Sequence, residues 1–516
     1  MIEPMILAID NGTQSVRALL FDDRGDMRAC EQINIEPWFA QKPGWAEQHP
    51  EYYWEKVGEA CRGLWRDGHK PESVAGIAVT TQRATQICLD ADGKPVRPAI
   101  TWVDERRTDI LPPMPWYWRL AVALIGKGAA LDHARHEAEC NWVAAHEPDN
   151  WAKTARFVQL SGYLNFQLTG NYRDSVASQV GYIPFDYKAQ RWASPASWRW
   201  HAFAVRRHQL PELVDPGQSI GDLLPSAAEH LGLKSGVPVI AAGADKACEL
   251  IGSGLIDEHI ACLSYGTRAT INVNSRHYFE ATGTMPAYPS VMPHSYNVEA
   301  AVPRGFWMVS WFKREFGHEE RHRAEEEGVA PEKLLDELVR TVPPGSEGLI
   351  LQPYWGRDVA PGLEARGAII GFSDTHTRAH LYRSILEGLA YALREGKECI
   401  EQRGSHAIEK LRVSGGGSQS DAALQITADV FGLPVERPHT YETSGLGAAI
   451  IAAVGLGWFS SIQQAMEQMT RQGDVFMPNA EAQAMYESLY KNVYGKLYSR
   501  LAPLYSSIRR VVFPSD

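Results

Sequence analysis

MILAIDNGTQSVRALLF, residues 5–21, has the pattern of an apolar strand, a polar turn and a second apolar strand. SYGTRAT, residues 264–270, repeats the turn, because an apolar strand precedes its Gly-Thr pair and apolar and polar residues alternate after it. Gly12 and Gly266 are separated by nearly half of the 516-residue chain. The sequence therefore predicts two related halves, each opening with a Gly-Thr hairpin, that face each other across a cleft.

The overall composition favours a cytoplasmic enzyme of small molecules. A chain of 516 residues is too long for one ordinary core and predicts two large domains. Its net charge is -11 and its Lys and Arg residues are dispersed, which argues against nucleic acid and membranes as partners. The seven cysteines lack metal-ligand spacing, as expected in a reducing compartment. LGAAIIAAVGLGWF, residues 446–459, is shorter than the ~20 residues of a membrane span and predicts a buried helix.

The turn after the first strand combines groups that suit a phosphate ligand. Gly12 permits close approach to the backbone, and Thr13 and Gln14 offer backbone N–H groups and side chains to phosphate oxygens. Asp10, at the strand end, can hold a magnesium ion, and Arg17 can reach a transferring phosphate. A plain polar hairpin explains this segment alone equally well. The second Gly-Thr turn favours phosphate binding.

Asp245, in GADKACELIGSG (residues 243–254), lies between the two Gly-Thr turns along the chain. A carboxylate there can take a proton from an alcohol while the turns hold the phosphoryl group that the alcohol attacks. VSGGGSQSDAALQITADVFGLPV, residues 413–435, has the pattern of a strand, a Gly-rich turn and a helix, which suits a flat or anionic ligand and also suits close helix packing. With no Walker A motif present, these features predict a kinase for a small hydroxylated molecule.

Apolar periodicity predicts several helices. Two helical patterns cover residues 52–65 and 151–168. A third, near the C-terminus, has apolar residues at steps of four that are predicted to face a core. These residues are Met485, Leu489, Val493, Leu497 and Leu501.

Segments in order along nearly the whole chain make it similar to the FGGY carbohydrate kinases, which include glycerol kinase and xylulokinase. These segments are IDNGTQSVR, KPGWAEQHP, VTTQRATQ, ITWVDERR, GADKACELIGSG, SYGTRAT, GAIIGFSDTHTRAHLYRSILEGLAY, SGGGSQSD and ADVFGLPVERP. The resemblance implies an α/β fold of two actin/hexokinase-like (ribonuclease H-like) domains with a cleft between them. Residues 1–254 would bind the sugar and supply the catalytic base, and residues 255–516 would bind the nucleotide.

The family pattern also implies roles for the matching residues. It makes Asp245 the general base and places Asp10 with Mg²⁺. The residues implied to face the ATP phosphates are Gly12, Thr13, Arg17, Gly266 and Thr267, and those beside the nucleoside are Gly416, Gly417 and Ser420. Gln14, in the same turn, is also expected to bind ATP. Arg83 and Trp102 fall where the family contacts its sugar or polyol, although Arg83 could instead pair with a nearby carboxylate and Trp102 could belong to the core. Gln82, Asp245 and Lys246 are also expected to contact the substrate.

The implied reaction is transfer of the γ-phosphoryl group of MgATP to a primary hydroxyl of a small sugar or polyol. Relatives are frequently dimers or tetramers, so a homo-oligomer is expected. Two other interpretations stay open, an inactive kinase-like sugar sensor and a nucleotide-driven switch of the same superfamily. GADKACELIGSG and VTTQRATQ match the acceptor side of the family and argue against a switch. The intact set of Asp10, Asp245, Gly266 and Thr267 argues against a sensor.

Departures from the family pattern bear on the substrate. Ala84 stands where glycerol kinases have a glutamate after the Gln-Arg pair, and the Met-His pair usual in xylulokinases is absent. Lys246 stands where the family often has an amide. A cation there favours the ionised form of Asp245 and, with Arg83, could receive an acidic or strongly polar substrate group. Residues 111–135 form an unusual segment near the expected substrate mouth.

Overall fold

Two units make up the chain in the computed structural model, which describes residues 3–255, 257–282, 285–329, 331–355 and 366–512. The first unit comprises Met1–Gly254, Ala287–Asn297 and Thr443–Thr470, and the second comprises Leu255–Pro286, Val298–Glu442 and Arg471–Asp516. Two segments that follow residue 254 therefore pack with the first unit. Within the described ranges, no helix combines the length and apolar character needed to cross a membrane.

Both units contain strands and helices. The strands are β1 (Met5–Asn11), β2 (Ser15–Phe21), β3 (Met27–Asn34), β4 (Glu47–Gln48), β5 (Val74–Thr81), β6 (Gln86–Leu89), β7 (Ala99–Ile100), β8 (Arg156–Gln159), β9 (Arg173–Ser175), β10 (Phe185–Asp186), β11 (Arg191–Trp192), β12 (Glu212–Val214), β13 (Ser219–Asp222), β14 (Pro238–Ala241), β15 (Ile260–Tyr265), β16 (Ala269–Ser275), β17 (Tyr288–Pro289), β18 (Tyr296–Val302), β19 (Ile350–Gln352), β20 (Ala368–Ile370), β21 (Lys410–Ser414), β22 (Val435–Pro438) and β23 (Gln472–Phe476). The α-helices are α1 (Pro50–Arg66), α2 (Trp116–Leu124), α3 (Gly128–Glu137), α4 (Glu139–His146), α5 (Pro148–Lys153), α6 (Leu160–Thr169), α7 (Arg199–Ala202), α8 (Pro225–Leu231), α9 (Asp245–Gly252), α10 (Trp307–Glu315), α11 (His318–Glu327), α12 (Pro331–Arg340), α13 (Arg378–Gly404), α14 (Asp421–Phe431), α15 (Thr443–Gly455), α16 (Ile462–Met469), α17 (Ala480–Leu489) and α18 (Gly495–Val512).

The main sheet of the first unit has the strand order β13-β14-β5-β1-β2-β3. β1 is antiparallel to β2 and parallel to β5, and β5 is parallel to β14. Successive residues of β1 face opposite sides of this sheet, as the pleat requires. Leu7 and Ile9 join a core that includes residues of α1, whereas Ile6 and Ala8 join a core that includes residues of α9 and α15.

The main sheet of the second unit repeats this pattern. Its strands lie in the order β18-β16-β15-β21-β22-β23. β15 is antiparallel to β16 and parallel to β21, as β1 is to β2 and β5. β21 is parallel to β22, as β5 is to β14. The two Gly-Thr turns occupy equivalent places in these sheets, so the prediction of two related halves with α/β sheets is confirmed.

Two of the helix predictions are confirmed and a third is wrong. Helix α1 confirms the helix predicted over residues 52–65, and the buried helix α15 confirms that predicted for residues 446–459 as far as Gly455, where it ends. A single helix over residues 151–168 is wrong, because strand β8 separates α5 from α6. β8 pairs antiparallel with β6, and this long-range pairing is invisible to local periodicity.

The apolar stripe predicted for the C-terminal helices is confirmed at Leu497, which is buried, and wrong at Met485. Its other members, Leu489, Val493 and Leu501, are half-buried. Met485 is 44% exposed, whereas Tyr486, Tyr490 and Tyr494 are buried. The Tyr486 hydroxyl donates to Glu387 Oε1 at 2.7 Å. Tyr486 and Tyr490 can turn inward because each ring buries apolar surface while its hydroxyl donates to a carboxylate.

Helices α9 and α15 approach each other closely enough for backbone contact. A Cβ atom added at Gly252 would lie 1.9 Å from Thr443 O, and one added at Gly447 would lie 1.9 Å from Cys248 O. Both positions therefore require glycine. Because α15 also packs on β1 and β5, this crossing positions α9, whose first residue is Asp245, relative to the sheet.

We expect Gly447→Ala to lower the free energy of unfolding by ~1–3 kcal/mol, because the added methyl group forces the two helices apart. The loss should occur although alanine favours a helix over glycine by ~1 kcal/mol. Gly128→Ala is the matched control, since a Cβ atom at this helical glycine meets Ala123 Cα at an ordinary 3.5 Å. Urea denaturation of both variants measures the difference, and equal midpoints would show that the helices do not touch in this way.

Candidate functional site

The carboxyl ends of β1, β5 and β14 place three segments at one edge of the first sheet. Since these strands are parallel, their ends meet at the same edge. Gly12 and Thr13 follow β1, Gln82 and Arg83 follow β5, and Asp245 begins the helix after β14. Ligands of α/β sheets commonly bind at this edge.

The turn between β1 and β2 is tight and presents backbone at its tip. The Gly12 N–H donates to Ser15 O at 3.0 Å. Gln14 O accepts a hydrogen bond from the Ile35 N–H at 3.0 Å, which ties the turn to the residue just after β3. Gly12 and Thr13 are partly exposed and Gln14 is exposed, so this turn remains accessible in the first unit.

Asp10 is a buried carboxylate just before this turn. Arg17 Nη1 on β2 donates to Asp10 Oδ2 at 3.3 Å, because the antiparallel register sets these two residues opposite each other. Burial raises the pKa of Asp10 to about 6; the Arg17 cation lowers this pKa, and the negative charge of Asp245 raises it. Arg17, predicted to reach a phosphate, thus pairs with Asp10.

Thr13, Gln82 and Trp102 are joined in one hydrogen-bonded chain. The Trp102 indole Nε1 donates to Thr13 Oγ1 at 2.9 Å, and Thr13 Oγ1 donates to Gln82 Oε1 at 2.8 Å. Gln82 Nε2 then donates to the buried Tyr53 hydroxyl at 3.2 Å. The structure therefore brings two residues predicted to bind substrate into contact with one predicted to bind phosphate.

The loop that carries Trp102 rests on a buried ionic network. Arg106 donates to Asp104 Oδ1 at 2.7 Å and to Glu47 Oε1 at 2.9 Å. The guanidinium carbon of Arg106 lies 4.1 Å from the Trp45 ring centroid. The Arg106 and Glu47 side chains are only 2% and 3% exposed. Because loss of one member would leave a buried charge unpaired, this network holds the loop rigidly.

Asp245 occupies the first position of α9, and its side chain is 29% exposed. Asp245 Oδ1 accepts a hydrogen bond from the Lys246 backbone N–H at 2.7 Å, and Asp245 O accepts one from Ser444 Oγ at 3.3 Å. Burial raises the pKa of Asp245 above its ordinary value, while the charges of Lys246 and Arg83 oppose this rise. The sequence prediction that a cation here favours the ionised form holds for the Lys246 contribution, although burial outweighs it.

Arg83 lies beside Asp245 and above an aromatic ring. Arg83 Nε is 3.8 Å from Asp245 Oδ1, and the guanidinium carbon is 5.2 Å from the Tyr288 ring centroid. A guanidinium over a ring face gains cation–π attraction. Both interpretations offered by the sequence remain compatible with this position, since Arg83 pairs with a carboxylate at the predicted acceptor site.

Lys246 forms an ion pair within α9. Its Nζ donates to Glu249 Oε2 at 2.7 Å, and the Lys246 and Glu249 side chains are 17% and 4% exposed. Although burial disfavours the ammonium, the negative charges of Glu249 and Asp245 raise the pKa of Lys246. Lys246 therefore stays charged, and its charge is matched by Glu249.

The second Gly-Thr turn connects β15 and β16 in the second unit. Gly266 O accepts a hydrogen bond from the Phe306 N–H at 2.9 Å, and Thr267 O accepts one from the Trp307 N–H at 3.4 Å. A Cβ atom at Gly305 would lie 2.2 Å from Ala269 N, so the segment before α10 packs directly on the backbone of β16. These two carbonyl groups anchor the turn to the start of α10.

The Gly-rich turn after β21 leads into α14 in the same unit. A Cβ atom added at Gly416 would meet nothing within 4 Å, whereas one at Gly417 would lie 2.5 Å from the Phe306 ring. Ser420 caps α14 by accepting from the Ala423 N–H at 3.1 Å, and its Oγ donates to Asp336 Oδ1 at 2.5 Å. Gly416 thus leaves bare backbone exposed, Gly417 packs against the Phe306 ring, and Ser420 stabilises the start of α14.

Three residues that contact the predicted site residues are not predicted from the sequence, namely Glu249, Tyr53 and Tyr288. Glu249 could have been found, because a carboxylate three residues after Lys246 lies on the same helix face. Tyr53 and Tyr288 carried no local signal. Tyr288 belongs to the segment Ala287–Asn297, which follows the predicted domain boundary yet packs in the first unit.

Asp10 and Asp245 have the chemistry that a magnesium ion requires. Both offer carboxylate oxygens, the ligand type that Mg²⁺ prefers. The negative charge of Asp245 is one cause of the raised pKa of Asp10, and a bound cation would relieve that repulsion. These residues therefore fit a divalent cation.

Two family models match most of the chain. The FGGY family of carbohydrate kinases, N-terminal domain, matches residues 5–252. The FGGY family of carbohydrate kinases, C-terminal domain, matches residues 261–456.

Whole-chain relatives and solved structures are similar over nearly their full lengths. An uncharacterized sugar kinase of Escherichia coli (strain K12), YgcE, is 30% identical over 493 residues, which cover 95% of this chain and 92% of that protein. The xylulose kinase of Lactococcus lactis subsp. lactis (strain IL1403) is 29% identical over 489 residues, which cover 94% of each. The ligand-bound xylulose kinase from Lactobacillus acidophilus has the same fold, with a TM-score of 0.82 and 21% identity over 98% of this chain and 99% of that chain.

Asp10→Asn is expected to stabilise the protein at neutral pH. Because burial favours the protonated carboxyl group, the folded protein binds this proton more tightly than the unfolded chain does, and stability falls as pH rises from 3.8 through about 6. This rise of the Asp10 pKa from 3.8 to about 6 corresponds to at most ~3 kcal/mol in the free energy of unfolding. We expect the variant to exceed the wild type by ~1–3 kcal/mol at pH 8 and the gain to shrink towards pH 4, as measured by urea denaturation across this range.

The control for this prediction is Asp222→Asn, which changes an exposed carboxylate on β13 of the same sheet. The stability of Asp222→Asn relative to the wild type should not rise between pH 4 and pH 8. An Asp10→Asn variant less stable than the wild type at pH 8 would contradict the prediction.

Proposed function

Because the chain belongs to the FGGY family of carbohydrate kinases, we propose that it transfers the γ-phosphoryl group of ATP to a primary hydroxyl of a small neutral sugar or polyol, with Asp245 as the general base. The observation that carries this proposal is the position of the Asp245 carboxylate. It stands at the edge where β1, β5 and β14 end, partly exposed, with Arg83 at 3.8 Å. A base needs both accessibility to the hydroxyl and a stable ionised form.

In the proposed step, Asp245 accepts the hydroxyl proton as the hydroxyl oxygen bonds to the γ-phosphorus. The bond from that phosphorus to the bridging oxygen breaks, and ADP leaves with the electron pair. Burial makes the Asp245 carboxylate a stronger base than an exposed one, since it raises the pKa. The cations Arg83 and Lys246 oppose this rise in the pKa and so favour the ionised form.

The Gly-Thr turns are proposed to bind the phosphates of ATP. In the first unit, the backbone at Gly12, Thr13 and Gln14 is accessible at the tip of a tight turn, and such N–H groups suit anionic oxygens. In the second unit, Gly266 and Thr267 form the equivalent turn. Arg17, which pairs with Asp10, supplies positive charge to the first turn.

The Gly-rich turn of the second unit is proposed to lie against the nucleoside. The open space around Gly416 supports a direct contact there. Gly417 and Ser420 then act through the shape of the turn, because they pack against Phe306 and hydrogen-bond to Asp336.

Asp10 is proposed to hold Mg²⁺. When bound, the ion neutralises charge on the phosphate groups. The contribution of the chain is a buried carboxylate whose ionised form costs free energy without a cation. A role in binding cations accounts for a buried carboxylate at the start of this turn.

The pairing of charges at the acceptor site supports a neutral substrate. The three cations Arg17, Arg83 and Lys246 are matched by Asp10, Asp245 and Glu249 respectively. A substrate carboxylate would add a negative charge to a balanced cluster that already holds a catalytic anion. The pairing of Lys246 with Glu249 therefore disfavours the sequence hypothesis that Lys246 receives an acidic group. In this proposal Lys246 instead provides a positive charge beside Asp245. The residues that contact the substrate are Gln82, Arg83 and Trp102.

Asp245→Asn tests the assignment of the base. An amide of the same size cannot accept the proton, so we expect kcat to fall by ~10²–10⁴ while ATP binding is retained. ADP release measures the rate, and calorimetry measures nucleotide binding. The matched control is Asp67→Asn, at an exposed position after α1, which should keep wild-type rates. A rate for Asp245→Asn within a few-fold of the wild type would refute the role.

A panel of polyols, ketoses, aldoses and sugar acids tests the substrate class. We expect kcat/KM for the best neutral compound to exceed that for the sugar acid of equal length by ~10-fold or more. An unpaired substrate charge raises the free energy of the bound state, and each 1.4 kcal/mol lowers kcat/KM tenfold. ADP release from wild type and Lys246→Met measures this ratio. A wild-type preference for the acid that Lys246→Met abolishes would overturn the proposal of a neutral substrate while leaving the kinase reaction intact.

A further inference from the structure

A surface cavity of the first unit is lined by residues of α2, of α3 and of the segment that precedes α2. It has a volume of about 380 Å³, and its walls include Pro112, Met114, Arg119, Asp132, Arg135 and His136. Sites of small molecules commonly have volumes of about 300–1,000 Å³. The cavity is therefore large enough for a small ligand, and the proposed kinase reaction uses none of the residues that line it.

Arg135 is a buried cation in the wall of this cavity. The residue is 4% exposed, and its Nη2 donates to Pro112 O at 2.6 Å. Its buried Nε has no hydrogen-bond partner in the part of the chain that the structure describes. The guanidinium also forms no ion pair with a carboxylate of the described residues. Because buried arginines are normally paired, Arg135 holds a positive charge that calls for an anion.

Arg119, an exposed residue of α2, brings a second cation to the same cavity. Burial lowers the pKa of Arg135, the negative charge of Asp132 raises it, and the positive charge of Arg119 lowers it. Asp132 is exposed and, within the described ranges, forms no ion pair with either arginine. The two guanidinium groups thus repel each other across the cavity, and a bound anion would relieve that repulsion.

His136 adds an imidazole to the same wall. Its Nδ1 donates to Thr108 O at 2.8 Å, because a carbonyl oxygen can only accept, and this bond fixes the orientation of the ring. Asp109 Oδ1 lies 3.4 Å from the same nitrogen, on a fully exposed side chain. Both neighbours that the structure describes for this ring therefore meet Nδ1, and Nε2 is the nitrogen that a ligand can contact.

The two arginines favour a phosphate group over a carboxylate. A phosphate monoester carries ~1.5–2 negative charges near pH 7 and has three terminal oxygens, so it can pair with both guanidinium groups at once. A carboxylate has one charge and two oxygens. It would match one guanidinium and leave the other unpaired.

The apolar part of the cavity favours a phosphate that is attached to a carbon skeleton. Leu111, Pro113 and Met114 stand beside the polar wall. These side chains can pack against carbon atoms, whereas inorganic phosphate has none to offer them. A large polyanion is disfavoured, since the chain has a net charge of -11 and would repel it.

We propose that the cavity lined by Arg119, Arg135 and His136 binds the phosphate group of a small molecule. The phosphate supplies the negative charge that the buried guanidinium of Arg135 lacks, and Arg119 pairs with it from the exposed side. Leu111 and Met114 contact the remainder of the ligand. The proposal does not depend on the kinase reaction or on its substrate.

Calorimetric titration of the full chain with propyl phosphate tests the proposal, because this ester has no free hydroxyl group for the acceptor site. Arg119→Gln removes an exposed cation, and we expect the dissociation constant to rise by ~10-fold or more through loss of a charge-assisted contact. Arg191→Gln is the matched control. It removes an exposed arginine of β11 in the same unit and should keep the wild-type constant. A wild type that does not bind propyl phosphate, or an Arg119→Gln variant with the wild-type constant, would overturn the proposal.

Arg135→Lys tests the buried guanidinium. Lysine keeps the charge but lacks the planar fork, so binding should weaken while the circular dichroism spectrum stays unchanged. Wild-type affinity in a folded Arg135→Lys variant would also overturn the proposal. If that variant fails to fold, the result for Arg119→Gln decides alone.

Two more ligands identify the chemistry of the anion. A lower dissociation constant for propyl phosphate than for inorganic phosphate supports an ester as the ligand, and equal constants support free phosphate at the same site. Butyrate, a carboxylate of similar length, should bind at least ~10-fold more weakly than propyl phosphate. Butyrate that binds as tightly would exclude a phosphate-specific site. None of these measurements requires kinase activity.

Discussion

Backbone contact between α9 and α15 sets the position of the predicted base. Gly252 and Gly447 allow the helices to cross with no side chain between them, and a single methyl group at either position would meet a carbonyl oxygen. α15 packs on β1 and β5, so the crossing ties Asp245 to the strands that end at Gly12 and Arg83. Precise placement of a carboxylate thus depends on two residues that have no side chain.

At the edge of the first sheet where β1, β5 and β14 end, burial and ion pairing shift the pKa values of the carboxyl groups in opposite directions. Burial raises the pKa of Asp10 and of Asp245, and the cations Arg17, Arg83 and Lys246 counter it. The result is a set of carboxylates that stay usable as a base or as a cation ligand while the whole cluster remains balanced. A buried site can hold this many charges only because each has an opposite neighbour.

Much of the fold and part of the site could be predicted from local pattern. The repeated Gly-Thr turns indicated two halves, and the two sheets do share one order of parallel and antiparallel pairs. The strand β8 was missed because its partner, β6, is distant in the sequence. The tyrosine stripe of the C-terminal helices was missed because hydrophobic periodicity does not foresee that buried hydroxyls such as that of Tyr486 find carboxylate partners.

The sequence by itself determined the family, the two-domain α/β plan and the identity of the residues with suitable chemistry, because strand and turn signals are local and the motifs are contiguous. Only the tertiary structure decided which of those residues meet. It paired Lys246 with Glu249, joined Trp102 to Thr13, placed Tyr288 beneath Arg83 and brought Arg119 and Arg135 to one cavity. The reason is physical: hydrogen bonds, ion pairs and burial depend on distances between atoms of remote segments, which no local pattern encodes.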